Sequence, residues 1–230
     1  MEKYSGLTDT VLLLDTYGED SDMLRRSFRS AGFTGPVIVI EDNGFLPEDV
    51  ISAYQYFSGD FQKSGKAPGK ARYFNQINIP DYWETNASNS GGKVYDLHRE
   101  RGRIFYAEPK HKRQVQVVDW MDEKGTVRSS DHYNRYGALY ARTFFNKEGK
   151  RFCKTYFDGE GRETILENFV THDIILNRGG KVYVFKNKTD LVLKLLDELG
   201  AMGSRIFFNS LSTPLFVSEQ MPGGRKEDVL

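Results

Sequence analysis

The chain has almost no cysteine: Cys153 is the one thiol in 230 residues. No disulfide can form within it, which suits a reducing compartment. It has no net charge, with 32 Lys+Arg against 32 Asp+Glu, and so lacks the positive field on which bulk nucleic-acid binding relies. It has no long apolar run. Val11-Leu12-Leu13-Leu14 near the N-terminus is too short for a signal-peptide core or a membrane span. Histidine is scarce, and His98, His111, His132 and His172 do not have metal-ligand spacing. No G-x-G-x-x-G follows the first apolar run. The turn there is Tyr17-Gly18-Glu19-Asp20, whose carboxylates repel a phosphate at a helix N-terminus. These absences argue against a disulfide scaffold, nucleic-acid binding, a zinc module and a dinucleotide site at this turn. They leave a cytoplasmic protein, with peripheral contact at the inner face of the cell membrane an open question.

What the chain does have is a turn that recurs every 12 residues. Asp122-Glu123-Lys124-Gly125, Asn134-Arg135-Tyr136-Gly137, Asn146-Lys147-Glu148-Gly149 and Asp158-Gly159-Glu160-Gly161 share the pattern Asn/Asp-x-x-Gly. A short acceptor side chain at the first position and glycine at the fourth is the signature of a type I turn. The runs between them are rich in Val, Thr, Tyr and Phe, so the pattern predicts consecutive antiparallel hairpins, a β-meander. The meander carries much of the chain's aromatic content of 13 Tyr and 16 Phe, as cross-strand aromatic pairing favours. A meander builds surface rather than chemistry, so binding comes before catalysis in the reading.

An α/β pattern flanks it on both sides. Residues 11–15 read as a buried strand, and Glu19-Asp20-Ser21-Asp22 as a helix start with acidic and capping residues. Met23, Leu24, Phe28 and Ala31 form the helix's apolar stripe and Gly32 its stop. Val37–Ile40 is a second strand, completing a βαβ unit and implying a parallel sheet. A short helix is expected after Pro47, and residues 58–70 read as a loop. From 71 to 186 the pattern is β, with Asn177-Arg178-Gly179-Gly180 closing a last hairpin. Thr189 then reads as an N-cap for a helix through Leu199 that Gly200 ends. Arg205–Phe208 is a strand and Pro214 opens a helix. The expected fold class is α/β with a large β insert: 1–70 and 187–230 form one α/β domain, and 71–186 an inserted extended antiparallel β-sheet. Residues 222–230 read as a loop entering a further element, as in a truncated chain.

Most candidate chemistry has a plainer explanation. Gly65-Lys66-Ala67-Pro68-Gly69-Lys70-Ala71 is one residue short of a phosphate loop, and Ala71 replaces the Ser/Thr. Glu100 with Glu108, and Glu219 with Glu227, match the paired-glutamate spacing of retaining glycosyltransferases. Fifteen glutamates in the chain make a chance match expected, and Pro222-Gly223-Gly224 breaks any rigid helix between the second pair. Cys153 reads as a small hydrophobe. Lys110-His111-Lys112-Arg113, with Arg99, Arg101 and Arg103, reads as a solvated edge or as contact with an acidic partner or anionic lipid. The meander aromatics either form a core on one face or, where the sheet is uncovered, mark an interface. Trp120, Tyr133, Tyr140, Phe145 and Phe157 are the candidate partner-contact residues; no catalytic, cofactor-binding or metal residue is assigned.

Several stretches carry a family resemblance: Val37–Pro47, Arg72–Pro80, Val117–Trp120, Val170–Leu176 and Phe207–Leu211. Together they resemble the N-terminal half of the GtfB family, the chaperone-like subunit of the accessory Sec glycosylation system. The resemblance implies a Rossmann-like half of a GT-B glycosyltransferase-like fold, interrupted by an extended antiparallel β-meander. It implies a subunit without catalytic residues. Such a subunit stabilises a catalytic GtfA-like glycosyltransferase and helps bind a serine-rich-repeat adhesin, the sheets of the two subunits meeting in the complex. UDP-GlcNAc is then the partner's substrate, and this chain needs no cofactor. The rival reading is part of a catalytic GT-B enzyme of the wall-teichoic-acid type, with its active site beyond this half; a third is a standalone β-rich interaction module.

Overall fold

The computed structural model describes residues 10–59 and 69–222. Residues 60–68 of the loop expected over 58–70, and residues 223–230 of the stretch 222–230, with Glu227, lie outside them. The chain divides into two compact units, one built from 10–42, 46–57 and 184–222, the other from 43–45 and the described part of 58–183.

The first unit is a four-stranded parallel sheet in the order β14-β1-β2-β3. β1 is Thr10–Leu14, β2 Val37–Val39, β3 Val50–Ser52 and β14 Arg205–Phe208. Leu13 lies opposite Phe208 on one side and Ile38 on the other. Val11–Leu14 and Val37–Val39 are wholly buried, as continuous apolar strands of parallel sheets are, and each such side chain stabilises the fold by about 1.5–3 kcal/mol. Helix α1, Glu19–Ser30, lays Leu24 and Phe28 on a cluster containing Leu12, Leu14, Val37 and Val39. Met23 and Ala31, expected in that stripe, are exposed. The α1 N-cap is Gly18, with no side-chain cap; the Ser21 hydroxyl bonds the Thr16 carbonyl instead, at 2.9 Å. Strand β3 was not legible, because the helix expected after Pro47 is α2, Ala53–Ser58, which follows the strand directly. Helix α3, Lys188–Glu198, starts before Thr189: Asn187 is the cap, accepting the Asp190 N–H at 3.0 Å, and Thr189 is buried. Helix α4, Thr213–Gln220, carries Pro214 in its first turn.

The second unit is built on a ten-stranded antiparallel sheet in the order β13 to β4. Its strands are β4 Trp83–Ala87, β5 Gly91–Asp96, β6 Arg99–Tyr106, β7 Val115–Met121, β8 Val127–Tyr133, β9 Leu139–Phe145, β10 Arg151–Phe157, β11 Glu163–Asn168, β12 Ile174–Arg178 and β13 Lys181–Phe185. Each predicted 12-residue turn is built the same way. The Oδ1 of Asp122, Asn134, Asn146 or Asp158 accepts the backbone N–H two and four residues on, at 2.9–3.1 Å. The glycine after it has φ of 75–80°, the left-handed region that glycine alone enters freely. Thr126 N–H, against an opposing push from burial, and then Arg128 and the Lys124 N–H hold the Asp122 carboxyl below the usual carboxylate range.

The Asn134 turn also anchors two outlying segments. Arg135 N–H donates to the Gly44 carbonyl at 2.8 Å, and Arg72 Nε to the Gly137 carbonyl at 3.1 Å, with its guanidinium 5.0 Å from the Tyr133 ring centre. The backbone approach is close enough that a Cβ on Gly137 lies 2.5 Å from the Lys70 carbonyl, whereas one on Gly125 meets nothing within 4 Å. Gly125→Ala is therefore expected to cost only left-handed strain, about 1–2 kcal/mol, and Gly137→Ala clearly more, because backbone must also shift. Urea unfolding of the two variants checks the difference; equal losses refute the anchoring role of this turn.

Candidate partner-binding surface

Register decides which meander residues can meet a partner. The row Gly92, Ile104, Val118, Asp131, Arg142, Thr155, Leu166, Ile175 runs across one face from β5 to β12. The adjacent row Lys93, Arg103, Asp119, Ser130, Thr143, Lys154, Glu167, Ile174 runs across the other. On the first face the apolar burial lies toward β5–β8: Ile104, Val118 and Asp131 are buried there, whereas beyond them Thr155 is buried and Arg142, Leu166 and Ile175 only half-buried. Phe74, Ile77 and Ile79, from the segment preceding β4, pack on that part. On the second face the order reverses. Lys93 and Arg103 stand in solvent with Glu100 between them, at 2.6 and 2.5 Å, while Ser130, Thr143, Lys154, Glu167 and Ile174 are buried.

A polar row that passes from solvent into the interior needs internal partners. The Ser130 hydroxyl donates to the Asp119 carboxylate. His132 Nε2 and the Thr143 hydroxyl are 2.8 Å apart. Lys154, opposite Glu167 in register, has its ammonium 4.8 Å from the Tyr156 ring centre, and the Tyr156 hydroxyl donates to Glu167 at 3.4 Å. Burial, reinforced by the positive charges of Lys154 and Arg151, pushes the His132 pKa down to about 3. His132, half-buried on β8, lies beside this row on the same face and is held neutral. Burial, with a contribution from Glu163, raises the Cys153 thiol, so it is not a poised nucleophile.

Of the five candidate contact residues, two are corrected by their burial. Tyr133 is 5% exposed and belongs to the core cluster of Ile104, Tyr106, Val115 and Val118. Tyr140 is 3% exposed, with Gly44 packed against its ring. Neither can meet a partner in this conformation, because outlying segments of the same unit cover them. Trp120 is half-buried, donating Nε1–H to Asp131 at 2.9 Å while Arg142 holds the same carboxylate. Phe145 and Phe157 are half-buried. The aromatics more open to solvent are their neighbours Phe144 and Phe152, with Phe105 on β6. Register shifts between Arg151/Cys153 and between Phe105/Tyr106 re-aim these side chains, which alternation counted from sequence misses.

The exposed large hydrophobics also include Tyr82 and Leu97, beside the β4 edge, and Val182, Tyr183 and Val184 of the opposite edge strand β13. The β4 edge itself is polar, exposing Glu84 and Asn86. The basic loop of Lys110, His111 and Lys112 is exposed, with Arg113 tied to Asn89 at 2.5 Å. In the first unit, the loop after β1 is held by Tyr17. Its hydroxyl donates to Asp22 at 2.6 Å and accepts from Arg25; burial first, then that bond to Asp22, raises its pKa to about 12. Among the described residues no group of His, Cys, Asp and Glu is placed to hold a metal ion, and no helix is long and apolar enough to cross a membrane.

Three family models match the chain: the GtfB N-terminal domain over residues 11–57, the GtfB middle domain over 83–186 and the GtfB third domain over 188–230. A Streptococcus agalactiae protein named UDP-N-acetylglucosamine--peptide N-acetylglucosaminyltransferase stabilizing protein GtfB is 42% identical, over 96% of this chain and 49% of the relative. Its Streptococcus gordonii namesake is 38% identical over 96% and 48%. The chain thus spans about half the length of the curated relatives it matches. A chain in the crystal structure of a GtfA/B complex bound to UDP and GlcNAc superposes with a TM-score of 0.84 at 38% identity, covering 91% of this chain and 46% of that one. The pneumococcal O-GlcNAc transferase GtfA, at 15% identity and a TM-score of 0.60 over 91% of this chain and 45% of that one, shares the fold.

The position of His132 has a pH consequence. Its folded pKa lies below the unfolded value near 6.5, so the unfolded chain binds a proton that the folded chain does not between those values. The contribution is therefore intact above about pH 6.5 and lost as pH falls toward 3, at up to about 1.4 kcal/mol per pH unit. His132→Gln is expected to flatten the stability loss between pH 7 and pH 5, measured by urea unfolding at each pH. An unchanged slope places the titration elsewhere.

Proposed function

The chain belongs to the GtfB family, and from that premise we propose that it is a non-catalytic subunit. In this reading it stabilises a GtfA-like O-GlcNAc transferase and helps present a serine-rich-repeat adhesin for O-glycosylation. The observation that carries the reading is the long sheet of the second unit, which leaves large hydrophobic side chains in solvent at both of its edges. Exposed apolar surface of that kind marks a protein-binding region, and an open sheet edge offers unpaired backbone groups to a partner strand. The catalytic subunit supplies a sheet of its own, and docking proceeds by edge pairing and aromatic burial over more than about 1,000 Å².

The first unit supports the non-catalytic part of the reading. Its parallel sheet corresponds to the first half of a GT-B-like fold. The loop after β1 is filled by Tyr17, Asp22 and Arg25, and the helix behind it opens with Glu19, Asp20 and Asp22. Negative charge there complements the α1 dipole and leaves nothing to attract a sugar-nucleotide phosphate. UDP-GlcNAc is then used by the partner.

The test is co-expression of the protein with a GtfA-like subunit, size-exclusion chromatography, and a UDP-GlcNAc transfer assay on an adhesin repeat, with each subunit also run alone. A co-eluting complex with raised transfer, and no transfer by this protein alone, is the expected result. Transfer by this protein alone favours the catalytic reading and sinks the proposal.

A further inference from the structure

Two of the most exposed hydrophobic side chains in the described chain sit side by side. Tyr82 is 95% exposed and Leu97 84%. Trp83 lies opposite Asp96 in the β4–β5 register, so the residues just beyond, Tyr82 and Leu97, are neighbours at one end of the sheet. Both have left-handed backbones, with φ of 68° and 54°. Tyr82 is the third residue of the turn closed by Trp83 N–H on the Pro80 carbonyl. Leu97 is the first loop residue of the β5–β6 hairpin, whose strands meet at Asp96 and Arg99. Positive φ at those positions calls for glycine or asparagine.

Elsewhere this sheet's connections place glycine at positive φ, or the polar Arg113 and His172. Gly179 and Gly180 form the β12–β13 hairpin with φ of 58° and 75°, and Gly125, Gly149 and Gly161 take the positive-φ position in theirs. At 82 and 97 the chain instead holds a large apolar side chain in a disfavoured backbone and gains no burial from it. Strain kept without a folding benefit points to a ligand-facing role.

The surroundings indicate the kind of ligand. The pair is collared by exposed Asp81, His98 and Arg99 and half-buried Asp96. An anionic bilayer would favour a cationic collar, whereas an apolar centre with a rim of both signs is the anatomy of a protein interface. The apolar residues of β13 are a weaker candidate: among the described residues Val182, Tyr183 and Val184 lie in ordinary strand, where β-branched and aromatic residues belong.

We propose that Tyr82 and Leu97 form an apolar knob that enters a hydrophobic pocket on the catalytic transferase subunit. This rests on the stabilising-subunit reading above. Protein–protein anchors of this kind concentrate binding energy in a few residues, and β4 beside the knob is the last strand of its sheet.

Leu97→Gly and Tyr82→Gly separate binding from folding. Each removes strain and exposed apolar surface, so Tm of the protein alone is expected to stay level or rise by about 2 °C. The affinity of the protein for the GtfA-like subunit, by calorimetry, is expected to fall about tenfold or more. A Val182→Lys, Val184→Lys double variant probes the other hydrophobic edge, β13, and is expected to weaken binding less than the glycine variants do. If the wild type binds and the glycine variants bind equally well, or only the β13 variant weakens binding, the knob is refuted and the stabilising-subunit reading survives. If the wild type does not bind, both fail. The knob is also refuted if the glycine variants instead lose flotation with phosphatidylserine vesicles, or lose self-association of the protein.

Discussion

Each hairpin from β7 to β11 depends on one carboxylate or amide oxygen. By accepting the N–H groups two and four residues ahead, the side chains of Asp122, Asn134, Asn146 and Asp158 fix the loop length, and loop length fixes register. A slip of one residue in any of these turns would exchange the two faces of every following strand. In this sheet that exchange would be severe, because the buried groups on the two faces differ in kind: Ile104 and Val118 on one, Ser130, Thr143, Lys154 and Glu167 on the other. The turns therefore specify the register that the interior requires, and the interior penalises any other.

The change of covered face across the sheet follows from the same register. Toward β5–β8 the segment containing Phe74 and Ile77 packs on one face; toward β10–β12 the burial lies on the other. Strands in the middle must serve both, so β8 buries Ser130 and Tyr133 on one side and the other alike, with Asp131 between. Asp131 is tolerable there because Trp120 and Arg142 both donate to it. A sheet covered on one face throughout would need none of these polar bonds.

Much of this was legible in sequence and some was not, for physical reasons. The 12-residue turn is a local signal, so its four hairpins, the βαβ start and the Pro214 helix could be read directly. Strand β3 was missed because three residues, Val50–Ser52, run into a helix without a breaker. The start of α3 was misplaced because Asn187 and Thr189 are both good caps, and only the backbone shows that Asn187 accepts from Asp190. The exposure of the meander aromatics was the hardest to read. Tyr133 and Tyr140 look like meander surface until residues 43–45 and 69–72, distant in sequence, are seen to fold back onto the Asn134 turn. Phe144 and Phe145 are consecutive in β9 and point to opposite faces, and only the cover on each face decides which is more exposed. Tyr82 and Leu97 carried no signal at all, since nothing in their neighbours announces a left-handed backbone.

The two units spend their chemistry differently. In the first, charge is used to close a site: Asp22 takes the Tyr17 hydroxyl, Arg25 reaches Asp22 and Asp49 at 2.9 and 2.8 Å, and the α1 dipole is satisfied by the chain's own carboxylates. A helix N-terminus already answered by internal anions has little left for a phosphate. In the second, buried groups such as Asp131, Thr143 and Glu167 are paired within the sheet, and what remains toward solvent includes large apolar side chains. A protein so arranged has its unsatisfied free energy in surface area rather than in charge. In the proposed reading, covering that surface with another protein releases it, each subunit removing from water what the other cannot bury alone.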